Sequence, residues 1–157
     1  MSGSLVYSGY ASARTQQIFG TGASYTIGAL TLAAQYTNTQ FNSIGSEPGL
    51  PAAGAGGSAK FNNIEVNARY FLNPALIVGV SYSLTKGYEM NGATYQQTNM
   101  GVDYFLSKRT DLHVVGIYQH ASGTDSTGSP ARAQIELLSP SSTSNQFATL
   151  VGIRTKF

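Results

Sequence analysis

Apolar and polar residues alternate along most of this chain, in segments that repeat. Leu30, Leu32, Ala34, Tyr36 form one row; Leu76, Val78, Val80, Tyr82 a second; Leu112, Val114, Gly116, Tyr118 a third. Each row is apolar or glycine at every second position and ends on tyrosine, the period of a strand with one face in an apolar medium. The intervening residues are Thr31, Ala33, Gln35; Ile77, Gly79, Ser81; and His113, Val115, Ile117, the last set blurring the alternation.

Upstream of each row lies a partner whose alternate positions also end on tyrosine: Thr21, Ala23, Tyr25; Val66, Ala68, Tyr70; and Met100, Val102, Tyr104. Each of these tyrosines stands three residues before a turn signal, at Gly28, Asn73-Pro74 or Ser107-Lys108-Arg109-Thr110. The pattern predicts three tight hairpins and seven strands, at about 13–27, 29–41, 61–72, 75–86, 94–107, 111–121 and 145–157. Leu5 to Tyr10 is read as the end of a loop or a short eighth strand, so that 1–12 precedes a strand region of 13–157. Longer connections rich in Gly, Ala, Pro and Ser lie at 42–60, 87–93 and 122–144. Short turns at one end and long loops at the other describe an antiparallel transmembrane β-barrel, with periplasmic turns near 28, 73–74 and 107–110 and those three connections outside.

The tyrosines test that expectation. Tyr36, Tyr82 and Tyr118 each lie eight residues beyond Gly28, Pro74 and Thr110 of the preceding turn, while Tyr25, Tyr70 and Tyr104 sit beside the turns. At roughly 3.3 Å per residue and a tilt of about 40°, the two rows stand about 20 Å apart, near the apolar band of such barrels. The terminal strand Asn145 to Phe157 ends on an aromatic ring, which extends the lower row. Cross-strand tyrosines of a soluble sheet would account for neither the equal offsets nor that ring.

Parity also assigns the other face. With Ile64, Val66, Ala68 and Tyr70 toward lipid, Asn63, Glu65, Asn67 and Arg69 face the interior. A basic group at mid-membrane on the lipid face costs about 2–4 kcal/mol, so Arg69 belongs in water. By the same parity Asp103, Arg154 and Lys156 point inward, while Val151, Ile153, Thr155 and Phe157 point outward.

Composition removes competing classes. Of 157 residues only 10% are charged, against about a quarter in soluble domains. Yet the most apolar stretch, Pro74 to Tyr82, is far short of the roughly 20 residues of a membrane helix. There is no cysteine, hence no disulfide framework or thiolate metal site. The net charge of +2 is scattered and makes no nucleic-acid footprint. His113 and His120 fall on opposite strand faces and cannot join as metal ligands. His120 and Ser122 share a face, with Asp125 nearby in sequence, but a polar strand end is the simpler reading of them than a serine nucleophile. No catalytic residue, cofactor or metal is expected. The first residues, Met1-Ser-Gly-Ser-Leu5, lack a basic segment followed by an apolar core, so a secretion signal has been removed or a longer protein contains this one.

Several stretches closely resemble the carboxy-terminal part of the general porins of beta-proteobacteria. They are Ser12 to Phe19, Phe61 to Tyr70, Asp103 to Leu112, Tyr118 to Gly123, Leu138 to Ser142 and Val151 to Phe157, in order over almost the whole chain. The resemblance implies an all-β, 16-stranded barrel of the Gram-negative outer membrane, trimeric when complete, through which ions and small hydrophilic solutes diffuse. It also implies that the barrel-assembly machinery reads the last strand, and that the chain is about half a porin, without the loop that folds into the barrel. Seven strands alone leave two unpaired edges, which hydrocarbon does not tolerate, so a pore would need the other half or partner copies. In such a wall Arg69, Arg154 and Lys156 would add positive potential, opposed by Glu65 and Asp103. Alternation by itself leaves two other classes open. One is a soluble lipocalin-like carrier of eight strands with apolar residues inside; the other is a structural or adhesive envelope barrel that binds through its loops.

Overall fold

The computed structural model describes residues 6–50, 56–89 and 92–156, and its seven strands form one antiparallel sheet in sequence order. They are β1 (Thr15–Ile27), β2 (Leu30–Asn42), β3 (Ala59–Asn73), β4 (Leu76–Glu89), β5 (Thr94–Phe105), β6 (Thr110–Ser122) and β7 (Asn145–Thr155). Among the described residues β1 pairs only with β2, and β7 only with β6.

Local chemistry makes the turns. Gly28 adopts φ +58°, the left-handed conformation a two-residue hairpin needs and glycine accepts without strain. At the next turn the Asn73 Oδ1 accepts the Ala75 N–H at 2.8 Å, an Asx turn at Asn-Pro. At the third the Ser107 hydroxyl accepts the N–H groups of Arg109 and Thr110, each at 3.1 Å.

Register aligns the alternation across the whole sheet. Tyr70 stands opposite Leu30 and Val78, Val78 opposite Val102, Val102 opposite Val114, and Val114 opposite Val151. The result is one continuous apolar face, on which Val80, Met100 and Val151 remain 44%, 64% and 70% exposed. An apolar face this large and uncovered is incompatible with water as its surroundings.

The lower tyrosines step regularly across that face. Tyr25 is level with Ala68, two residues from Tyr70, and Tyr104 lies two residues beyond Val102, the position level with Tyr70. Two residues, about 6.6 Å, over two strand spacings, about 9.6 Å, give a tilt of about 35°, within the range of membrane barrels. Register also shortens the expected band. Tyr36 and Tyr82 lie six residues, not eight, from the positions opposite Tyr70 and Tyr104, so the Cα rows are about 16 Å apart along the membrane normal. The eight-residue offset was measured from the turns, and the lower tyrosines stand above them.

At the loop end the structure decides between the two readings of the first residues and moves one strand boundary. Residues 8–10 form a short 3-10 helix rather than an eighth strand, and β4 extends through Gly87 to Glu89, into the connection expected from 87. At this end the polar-parity positions become apolar, and Phe41, Ala59 and Phe61 are buried under Val6, Tyr7, Tyr10 and Ala13. Ala93, Tyr95 and Ala121 are likewise covered by Ala131 and Ala133. Thus the connection after β6 does not simply project; it lies back on the polar face and makes a second layer.

Candidate functional site

The polar face has two parts, and the lower one carries the charges. Glu65, Arg69, Asp103 and Arg154, the charged positions anticipated from parity, all occupy this face beside a cavity of about 570 Å³. Glu65 accepts a hydrogen bond from Gln35 Nε2 at 3.2 Å, and the Arg69 guanidinium stands 5.5 Å from the centre of the Phe71 ring. The cavity separates these two from an ionic cluster on the last three strands.

That cluster centres on Arg154. Its Nε donates to Asp111 Oδ1 at 2.8 Å and its second nitrogen lies 3.7 Å from Asp103 Oδ2, so one guanidinium spans β5, β6 and β7. His113 lies opposite Asp103 and Gly152, with Nδ1 3.6 Å from Asp111 Oδ2. A Cβ added at Gly152 would stand 2.5 Å from His113 Nε2, so the absence of a side chain there is what admits the imidazole. Asp111 is nearly fully buried, and its Oδ2, like Asp103 Oδ1, has no hydrogen-bond partner among the described residues.

Asp111 was not singled out from the sequence, and His113 was weighed there only as a metal ligand, not as a member of an ionic cluster. Asp111 stands at the edge of a predicted turn, yet its parity matches His113, and extending the alternation one step would have placed it on the polar face. Lys156 is not brought into the cluster. It lies beyond β7, exposed, its backbone N–H bonded to Arg109 O at 2.9 Å.

The aromatic positions occupy the opposite face. Each upper tyrosine donates its hydroxyl to an amide oxygen nearer the loop end: Tyr36 to Asn62 at 2.9 Å, Tyr82 to Gln96 at 3.1 Å, Tyr118 to Asn145 at 2.8 Å. A tyrosine at a membrane interface behaves in this way, its ring in the apolar layer and its hydroxyl turned toward polar groups. Beyond them Lys60, Lys86 and Asn38 continue the same face, with Lys60 paired to Glu89 at 2.8 Å. Tyr25, Tyr70 and Tyr104 mark the turn side, exposed at 70%, 45% and 46%. Phe157 lies outside the described residues.

The upper part of the polar face is neutral and covered. Asn99 Nδ2 donates to Ser81 Oγ, Gln97 Nε2 to Asn99 Oδ1, and Gln119 Nε2 to Gln97 Oε1, an amide ladder across three strands. Gln119 and its register partner Gln146 hold the second layer, because Gln119 Oε1 accepts the Gln134 N–H and Gln146 Oε1 accepts the Ile135 N–H, both at 2.6 Å. The N-terminal segment joins through Gly9 N–H to Ser126 Oγ at 3.0 Å. Burial against Phe41 and Phe61 raises the pKa of the Tyr7 hydroxyl above its ordinary value.

His120, on the apolar face, contacts Asn145 Oδ1 through Nδ1 at 2.8 Å. Asp125 is engaged by its own turn, its Oδ1 accepting from Thr127 N–H, Thr127 Oγ1 and Ser129 N–H.

Comparison with known proteins agrees with this geometry. The chain is similar to outer-membrane expressed OmpT of Vibrio cholerae, with a TM-score of 0.60 and 15% identity over 89% of this chain. It is similar also to in-vitro folded OmpT, an outer membrane protein of Vibrio cholerae, with a TM-score of 0.60 and 16% identity over 89% of this chain. It spans about two fifths of the length of those structures, 41% and 40%. No curated protein matches it. The family model described as Gram-negative porin matches residues 2–125. With its sheet, its exposed apolar face and that match, the chain belongs to the Gram-negative porin family, the β-barrels of the outer membrane.

Proposed function

We propose that this chain forms part of the wall of a water-filled pore through which ions and small hydrophilic solutes diffuse passively across the outer membrane. The observation that carries it is the opposite chemistry of the two sheet faces. One is exposed and apolar between two tyrosine rows; the other gathers Glu65, Arg69, Asp103, His113 and Arg154 around an open cavity, with buried Asp111 bonded to Arg154 behind it. No step of chemistry is needed for such transport, and the charges act on passing ions through a field that the low-dielectric wall screens poorly.

In this reading Glu65, Arg69, Asp103 and Arg154 line the lumen, and Lys156 stands at its periplasmic mouth. The seven strands belong to a larger closed barrel, because among the described residues the outer edges of β1 and β7 pair with no strand, and backbone groups left so in hydrocarbon cost several kcal/mol each. By resemblance that barrel is the 16-stranded, trimeric general porin of beta-proteobacteria, to which these strands give the carboxy-terminal half. The aromatic rows, Phe157 among them, sit at the two lipid interfaces, and the last strand is the part that the barrel-assembly machinery recognises.

Planar-bilayer recording of the protein extracted from its outer membrane tests the proposal. Stable, ohmic steps that scale with salt activity are expected. A pure, folded preparation that inserts without conducting would contradict it.

A further inference from the structure

The second layer on the polar face has no evident use in merely closing a wall. Segment 131–138 lies against the sheet with Ala133 and Ile135 buried, and its backbone is held by the side chains of Gln119 and Gln146 as a further strand would be by a ladder. Gln146 Nε2 adds a bond to Ser139 O at 2.9 Å, and Ser141 N–H returns to Ala133 O at 2.8 Å. Past these clamps the chain turns outward at Leu137, with φ +69° and a side chain 98% exposed. A large aliphatic residue in a left-handed conformation is held there by its surroundings, not by preference.

Leu137 and Glu136 border a cavity of about 790 Å³ whose opposite side is formed by Gln16 and Ile18 of β1 and by Tyr7. The tip therefore stands off the β5–β7 wall and faces β1 across open space. On the pore reading above, that space is part of the water path.

We infer that segment 131–138 is a fixed constriction on the loop side of the pore. Leu137 sets its width, and Gln119 and Gln146 are the positioning residues that hold it. The solutes it discriminates are hydrophilic molecules near the size limit of the pore, which it sorts by bulk.

The chain has no cysteine, so a single Leu137→Cys in a cysteine-free background gives a clean handle. The residue is exposed and the change leaves the clamps intact. In bilayers the variant should react with a sulfonate-bearing methanethiosulfonate, and then with a poly(ethylene glycol) maleimide in a fresh sample, the bulkier adduct lowering single-channel conductance at least twofold. Complete labelling by mass with unchanged conductance, or no labelling from water, would overturn the inference. Channels absent from the unmodified protein would instead sink the pore reading itself. As a second test, Gln119→Leu combined with Gln146→Leu should release the segment and raise the liposome-swelling rate for the largest permeant sugars about twofold. A heat-stable, folded double variant with an unaltered size cut-off would count against the clamp.

Discussion

The turn half and the loop half of these strands share one backbone ladder and differ in what covers their polar face. Near the turns that face is open, and Arg154 there ties Asp103 and Asp111 together across three strands. Near the loops it is roofed, its amides bond to a second layer, and rings such as Phe61 and Tyr95 occupy positions where the alternation calls for polar residues. A strand can therefore carry one rule on its lipid side and two on its lumen side. Parity decides which face a residue takes, whereas what lies opposite that face decides whether the residue is polar.

Four tests would break or sharpen this contrast. Phe61→Ala removes a fully buried ring from the loop-side core, a change that costs about 3–5 kcal/mol in such cores. It should speed hydrogen exchange in residues 6–13 while leaving the turn half unchanged. Val80→Arg places a cation near mid-depth on the apolar face and should destabilise folding into vesicles by about 2–4 kcal/mol in a urea titration. Asn67→Arg, on the polar face, should cost almost nothing in the same assay. Gly152→Ala forces a methyl group against the His113 ring, which can swing into the cavity, so the cost should fall below the about 1–3 kcal/mol of overpacking in a closed core. Adding His113→Ala should recover most of that loss, and a double variant as unstable as the single one would discount the contact. Last, Tyr82→Phe deletes one interfacial hydrogen bond, worth about 0.5–1.5 kcal/mol, and should lower the heat-denaturation midpoint slightly.

Much of the fold was legible because a strand pair has a period of two and its register is enforced by the lipid face. The seven strands, the three turns and the face of the six tyrosines in the two rows follow from that periodicity. The charged positions Glu65, Arg69, Asp103 and Arg154 follow from the same parity, but their pairing does not. Arg154 meets Asp111 and Asp103 only because β5, β6 and β7 align at one level, and register is a property of neighbouring strands rather than of either segment. The roof was the part not read. Phe41, Phe61 and Tyr95 stand on polar parity at strand ends, and three such rings at one end are the signal that something apolar must cover them. Gln119 and Gln146 gave no such sign, since a glutamine facing water and one holding a loop look the same in sequence.

The face assignment is the claim on which the rest stands, and labelling of β4 tests it directly. Single cysteines at 76 to 83, in vesicles, should react with a water-soluble maleimide at Ile77, Gly79, Ser81 and Ser83 and remain protected at Leu76, Val78, Val80 and Tyr82. The opposite phase would make the apolar face the interior of a ligand carrier, and loss of alternation would contradict a membrane-spanning wall altogether.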